Sequence, residues 1–498
     1  MTDGTEDSIP FGVQDHIALN EDTNLEAISD TTNGLLFVRM FRDTVRYAVD
    51  KKRWYLWNGR HWSEDTGENL GAFALTQSVI RYRRERALGA ADNERDQLLQ
   101  LITRLESEGK RRSMLAVARA DPRIRCLTRD FDTVKHHLVV GNGTVDLRTG
   151  ELRPGTPSDM NSLACIEDYL PEAAEPGYSD ELELFLETFI PDEKCAVYVF
   201  KLLGHCLFVG NDLRLMPVFW GGTTSGKSQL FAALQRILGS YICAINPSVF
   251  RGNLDDKPRP DLVRAMMTRI AYAPEGSKSW ALHADQIKRL SGGSDTLPYR
   301  DLFGSMLNEI PRFTAMIVAN EFPRVNGIDP ALKRRIISIH LDVTLPPERE
   351  DPAIRARFLD DKKVREALLA RLIWGARQPL ARDMSDVPEK YALATMAARA
   401  GMGHVDEFLE WAQAETVLLK VDETVAASGC VKSSELFTLY SHWLKKYGDE
   451  VDKRDRLGSK GFSQALMSLG WESKASAGTR WLGWRITDTM PFWMKMEL

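Results

Sequence analysis

The chain has 498 residues, 43% of them hydrophobic, and a formal net charge of -5. This length suggests about three domains, the apolar share is ample for real cores, and the mild acidity excludes a generally basic nucleic-acid coat while leaving room for basic residues inside a channel. The six cysteines are scattered without a C-x-x-C pair, which argues against a zinc site and for buried thiols in a reducing compartment, and neither a leader peptide nor an apolar run of about 18 residues is visible, so a soluble cytoplasmic protein without a membrane partner is expected.

Residues 1–32 carry Asp3, Glu6, Asp7, Asp15, Glu21, Asp22, Glu26 and Asp30 but no Lys or Arg. They read as an acidic disordered tail or a docking arm. Residues 33–180 read as a mostly helical collar or docking domain. Leu36, Met40, Val45 and Ala48 open an amphipathic helix, and residues 53–62 read as strand, Asn-Gly turn, strand. Its tryptophans, Trp54, Trp57 and Trp62, suit core packing more readily than base stacking. Residues 70–118 read as two basic helices with Arg81, Arg83, Arg84 and Arg86 clustered, either a solvated face or a phosphate-contacting one. Residues 137–155 alternate apolar and polar with two turn signals, which predicts short strands. An acidic, proline-containing stretch, 167–181, reads as a linker.

Residues 181–345 carry the strongest signal. Val218, Phe219 and Trp220 lead as a strand into G-x-x-x-x-G-K-S at 221–228. Leu230, Leu234, Ile237 and Leu238 follow at helical spacing, and Gly239 suits a helix stop. In this P-loop pattern the backbone amides of Gly221, Gly222, Thr223, Thr224, Ser225, Gly226 and the following Lys227, Ser228 and Gln229 surround phosphates. Lys227 reaches the β- and γ-phosphates, and the Ser228 hydroxyl ligates Mg²⁺. The pattern alone calls for a nucleoside triphosphate; ATP and Mg²⁺ are the expected cofactors. Hydrolysis also needs an acid, a polar residue to place water and a cation. Glu275, at the end of an apolar segment, fits the acid and a second Mg²⁺ contact. Asn320, ending the apolar run 315–319, fits the water-orienting group. Arg334 or Arg335 fits a cation acting across a subunit boundary. Each alone is an ordinary strand-end or surface residue; in chain order they support one another.

Apolar strands alternating with helices predict a mostly parallel sheet. Residues 346–403 read as a helical lid or bundle. Residues 404–498 read as helix, helix, helix, hairpin, the order of a winged helix. Between 430 and 486, ten basic residues against six acidic ones give about +4, and Lys460 lies on the candidate recognition helix. A protein-binding winged helix is the alternative use.

Taken together, the motifs resemble those of a superfamily 3 DNA helicase of the phage and plasmid primase-helicase family, the group with a poxvirus-type C-terminal region. Ile287-Lys288 through Asp295 with Tyr299-Arg300 resembles the motif before the sensor. Asn320-Glu321-Phe322-Pro323 resembles sensor 1, and Leu332 through Arg335 resembles the arginine-finger segment. Trp57 through Trp62 and Asn142 through Glu151 are similar to the domain preceding the motor. The resemblance implies an α/β fold with an AAA+-like P-loop ATPase motor, a helical N-terminal domain and a winged-helix tail. It implies a homo-hexameric ring translocating on single-stranded or forked DNA, with Glu275 as Walker B acid and Arg335 as finger. Lys288, Arg300, Arg312 and Lys460 become DNA-contact candidates. Departures are a single Walker B carboxylate after Pro274 and a hairpin, 302–308, without Lys or Arg. No primase centre is visible, so a separate primase or replication protein is the expected partner. An origin-binding initiator and a non-helicase assembly or defence ATPase are the alternative functions.

Overall fold

The computed structural model describes residues 27–250, 258–274, 281–293, 295–300, 306–326, 334–345, 352–381, 385–400, 404–420, 430–447, 458–459, 462–463, 466, 471–475 and 479–487. Two compact units emerge, each drawn from separate stretches of chain. The first is Met1–Ala174 with Leu207–Val209 and Arg236–Tyr241; the second is Glu175–Cys206, Gly210–Gln235 and Ile242–Leu498.

The first unit opens with α1 (Asp30–Phe41), started by a capping box between Ser29 and Thr32. Strands β1 (Val45–Ala48), β2 (Arg53–Trp57) and β3 (Trp62–Glu64) follow. Here the sequence expectation is corrected: Val45 and Ala48 do not continue the helix. Their segment pairs antiparallel with β2 and parallel with β4 (Arg125–Cys126), giving the sheet order β3-β2-β1-β4. The expected Asn-Gly turn is present, with Gly59 at φ +94° and Asn58 Oδ1 accepting from the amides of Arg60 and His61 (both 3.0 Å). Trp62 is fully buried, its Nε1 donating to Pro157 O at 2.9 Å, and Trp54 is buried too. Both serve the core.

The basic region holds three helices, not two: α2 (Thr66–Leu88), α3 (Asp92–Leu105) and α4 (Glu108–Ala118). The arginine cluster divides as well. Arg83 is buried and donates to Asn33 Oδ1 at 2.9 Å, while Arg81, Arg84 and Arg86 are exposed. Strands β5 (His137–Val140), β6 (Gly143–Asp146) and β7 (Leu152–Arg153) form an antiparallel meander. The stretch expected to be a linker is packed rather than free: Tyr169 and Ala173 are buried, and Asn142 bonds the Tyr169 backbone through both its amide atoms.

The second unit begins with α5 (Asp180–Phe189) and α6 (Glu193–His205), whose N-caps Ser179 and Asp192 accept from the backbone. Its main sheet contains β8 (Met216–Trp220), β9 (Ile242–Ala244), β10 (Ile270–Ala273), β14 (Thr314–Ala319) and β16 (Ile336–His340). Their order is β16-β8-β14-β10-β9, and every pairing is parallel. All six residues of β14 are buried, and residues 315–319 are the continuous apolar run expected of a strand covered on both faces. Helix α7 (Lys227–Leu238) follows β8. The remaining elements of this region are α8 (Pro260–Ala265), β11 (Ala281–His283), α9 (Ala284–Ser291), β12 (Leu297–Tyr299), β13 (Leu307–Glu309) and β15 (Arg324–Asn326). Val218, Ala271, Ile317 and Ile336 share one core. The fold is thus mixed α/β, as expected.

Three helices come next: α10 (Pro352–Asp360), α11 (Lys362–Arg377) and α12 (Glu389–Ala400). The C-terminal elements are α13 (His404–Ala414), β17 (Leu418–Lys420), β18 (Cys430–Lys432), α14 (Ser433–Tyr447), β19 (Ser473–Ala475), β20 (Thr479–Leu482) and β21 (Trp484–Ile486). Strands β18, β20 and β19 form one antiparallel sheet, and β17 pairs with β21. Phe408, Tyr440, Phe462 and Trp481 build an aromatic core beneath them. Among the described residues no helix is long and apolar enough to cross a membrane, no cluster of three metal-ligating side chains occurs, and the six cysteines are free.

Candidate functional site

The glycine-rich loop joins β8, which β16 and β14 flank on its two sides, to the N-terminus of α7. Its glycines are where side chains do not fit. A Cβ on Gly221 would fall onto the Leu341 carbonyl oxygen, and one on Gly226 would lie 2.7 Å from the Phe189 ring at a backbone φ of +80°. Thr224 holds φ +65°, a conformation costing a non-glycine about 1–3 kcal/mol. It is retained by the chain beyond β16: Thr224 Oγ1 donates to Leu345 O at 2.8 Å, and Leu345 N reaches Thr224 O at 3.4 Å. Residues 341–345 therefore form a second wall along the loop.

Lys227 is buried and turned back into this loop. Its Nζ donates to Gly221 O (2.5 Å), Gly222 O (2.8 Å) and Ser225 Oγ (2.9 Å). Ser228 is exposed in the first turn of α7, where the unbonded helix amides favour an anion. Thr223 is exposed, and Gln229 is half-buried. A buried lysine ammonium donating to the loop's own oxygens, next to a helix N-terminus and the exposed Ser228 hydroxyl, fits a magnesium nucleoside triphosphate.

Register brings Asn320 to the same edge. Ala319 pairs with Trp220, so the next residue of each strand, Asn320 and Gly221, leaves the sheet at one level. His340 pairs with Trp220 on the other side, its ring stacked on the indole at 3.8 Å and 7°. Burial lowers the His340 pKa, against the Asp342 charge that would raise it and with Lys390 and Lys227 adding, and favours a neutral ring. Burial opposes ionisation of Asp342, but the Lys390 ammonium at 2.7 Å outweighs it and holds that carboxyl below its ordinary value. Sequence reasoning missed this Trp220–His340 stack, because the two residues are 120 positions apart and only strand pairing unites them.

The arginine pair lies elsewhere. Arg335 O accepts from Met216 N at 2.7 Å, so it sits at the beginning of β8, and the glycine-rich loop at its end. About 15 Å of strand separates them. The Arg335 guanidinium donates to Lys288 O (2.8 Å) and Ser291 Oγ (3.1 Å), whereas Arg334 is exposed. Arg312 precedes β14 at this same N-terminal edge, its carbonyl accepting from Gly210 N at 2.8 Å. Lys288 is 3.9 Å from Asp285. Arg300 follows β12, its carbonyl accepting from Arg259 N. Exposed Arg214, missed by the sequence reading, precedes β8 at the basic edge. Two of the predicted residues, Glu275 and Lys460, lie outside the described residues. The structure thus groups the loop with Asn320, and Arg334, Arg335, Lys288 and Arg312 on the opposite edge.

Residues 34–191 match the family model described as D5 N terminal like. "Putative helicase L207/L206" of Acanthamoeba polyphaga mimivirus is 25% identical over 210 residues, 42% of this chain and 22% of that protein. "Putative primase C962R" of African swine fever virus (isolate Tick/Malawi/Lil 20-1/1983) is 22% identical over 345 residues, 64% of this chain and 34% of that one. The matches thus span about a fifth to a third of those relatives' length. The apo NrS-1 C-terminal region aligns over 93% of this chain and 100% of its own, at 11% identity and a TM-score of 0.43. The chain thus carries a D5 N terminal like segment and is similar, over part of its length, to viral proteins named as helicases and primases.

Proposed function

We propose that this chain is the ATP-driven motor of a replicative DNA helicase, built on an AAA+-like P-loop core with a winged-helix tail. One observation carries the reading: a buried lysine in a glycine-rich strand-to-helix loop, with Asn320 beside it at the end of the neighbouring strand. Lys227 would exchange the Gly221 and Gly222 carbonyls for phosphate oxygens. The N-terminal amides of α7 would support the same charge, and Ser228 would bind Mg²⁺. That ion would neutralise charge on the transferred phosphoryl group. Asn320 would orient the attacking water, and Glu275 would polarise it and complete the metal's shell.

The basic edge supports assembly into a ring. A cation about one strand length from its own loop serves a neighbour's nucleotide better than its own. Of the two arginines, Arg334 is free to reach outward while Arg335 anchors the turn to α9, so Arg334 takes the finger role in this reading. Lys288, Arg300 and Arg312 would face DNA, with Lys460 contributing from the tail. Stacking within the α13–α14 core and the antiparallel sheet β18-β20-β19 support a winged-helix arrangement there.

The test is ATP hydrolysis with and without single-stranded DNA, and strand separation on a forked duplex, with Lys227→Ala as control. DNA-stimulated hydrolysis and unwinding are expected. Sequence-specific duplex binding without unwinding would instead make the chain an origin-binding initiator. Hydrolysis indifferent to any DNA would rule out both roles and leave an assembly or defence ATPase.

A further inference from the structure

The first unit has a cavity of about 540 Å³ between the start of α2 and α4. Trp54, Leu70 and Phe73 give it an apolar floor; Arg111, Arg112 and Arg119 give it positive charge. Arg111 is a fixed cation. Its guanidinium lies 3.9 Å over the Phe73 ring and donates to Thr76 Oγ1 (2.7 Å) and Phe73 O (2.9 Å). Arg119 is exposed and has no side-chain hydrogen bond or ion pair among the described residues. Leu70 is 65% exposed, a large apolar side chain left open to water at the rim. Asn69, also at the cavity, has a buried side-chain oxygen without a hydrogen-bond partner among the described residues.

This chemistry selects an acidic peptide with an apolar anchor. Glu106, paired with Arg84, and Glu108, paired with Arg112 at 2.8 Å, border the cavity and offset part of its positive charge, which suits a sparsely charged peptide with an apolar anchor better than a polyphosphate strand with a charge on every unit. The chain itself carries such a peptide. Residues 1–26 hold Asp3, Glu6, Asp7, Asp15, Glu21, Asp22 and Glu26, no Lys or Arg, and the apolar Phe11, Val13, Ile17 and Leu19. They lie outside the described residues, which begin at Ala27. The Ala27 carbonyl accepts from Arg83 Nη2 at 3.1 Å, on the same helix as Phe73. Ten residues of helix are about 15 Å, and the sixteen residues back to Phe11 can extend to about 50 Å, so reach is ample.

We propose that the acidic segment 1–26 docks in this cavity, an apolar side chain from 11–19 on Trp54, Leu70 and Phe73, and carboxylates on Arg112 and Arg119. The segment then occupies the surface that any other acidic partner of this unit must use.

The test uses the full chain with a photo-crosslinking phenylalanine, p-benzoylphenylalanine, at position 11, and maps the products by mass spectrometry. Crosslinks are expected on the start of α2 and on α4. Their yield should fall roughly fivefold or more in the double variant Arg112→Glu, Arg119→Glu and in Leu70→Asp, as expected when charge complementarity or an anchor contact is reversed. These side chains are solvent-facing, and unchanged thermal melting confirms that each variant folds. Crosslinks elsewhere, or yields indifferent to these substitutions, overturn the proposal. So does a single-stranded oligonucleotide that crosslinks to the cavity while position 11 maps to another surface; the cavity would then be a nucleic-acid contact.

Discussion

Lys227 donates to three atoms of its own loop, so removing it alters both the loop and any phosphate site. Lys227→Ala is expected to lower ATP turnover by roughly a hundredfold or more, the scale of losing one preorganised donor to developing charge. Phosphate-release assays check this, and normal turnover would remove the loop from the mechanism. The arginine pair gives a sharper test. Arg334→Ala is expected to abolish hydrolysis while nucleotide binding persists, with activity partly restored by mixing in Lys227→Ala chains. Arg335→Ala should chiefly lower thermal stability, because its guanidinium ties the start of β16 to Lys288 and Ser291 of α9. If Arg335→Ala alone stops hydrolysis at unchanged stability, the roles are reversed. A third residue reports on pH. Burial, with Arg60 nearby, lowers the His61 pKa to about 4. The unfolded imidazole titrates near 6.5 and binds a proton first as pH falls. Stability should therefore be full above pH ~6.5, decline as pH drops towards 4, and level off below that. His61→Gln should flatten this slope in urea titrations.

At the scale of elements, helices α6 and α11 cross through glycine. A Cβ on Gly204 would meet the Ala376 amide and the Leu372 carbonyl, and one on Gly375 would meet the Phe200 carbonyl. Gly375→Ala is expected to destabilise the second unit by about 1–3 kcal/mol, the usual cost of overpacking. A lower urea midpoint with an unchanged m-value would show it; an unshifted midpoint would mean that the helices part without cost. Several elements are legible directly. Strand β14 holds the continuous apolar run 315–319, the β2–β3 turn is Asn-Gly, and α7 shows helical spacing after a phosphate-loop pattern. The misreadings have physical causes. Leu36, Met40, Val45 and Ala48 recur near helical spacing, yet Val45–Ala48 gains ladder bonds to both β2 and β4, a non-local benefit that no local period reveals. The basic helices break at Gly89 and again near Ser107, where the sequence reading saw one interruption.

For the whole molecule, the parallel sheet is decisive. Its C-terminal edge carries the glycine-rich loop and Asn320; its N-terminal edge carries Arg334, Arg335 and Arg312. A single chain thus places the proposed triphosphate site and its candidate stabilising cation about one strand length apart. Specific ATPase activity should rise with protein concentration and reach a plateau as light scattering detects the assembled particle. Activity per chain that stays constant down to fully monomeric dilution would overturn completion of the site by a neighbour. Electron microscopy with a non-hydrolysable ATP analogue would then count the subunits.

Sequence alone determined the phosphate-loop pattern and the α/β class, because those reside in short spacings and in the residue types that phosphates, helices and buried strands require. It also marked Asn320 and the arginine pair as strand-end residues. Only the tertiary structure decided which of these share an edge. Parallel pairing sets Asn320 beside Gly221, stacks His340 on Trp220 and sends the arginines to the far end, since register and strand order follow from non-local hydrogen bonds rather than from any local period. The same holds for Lys227: its motif names the residue, but the fold turns its ammonium into the loop and buries it against the Gly221 and Gly222 carbonyls.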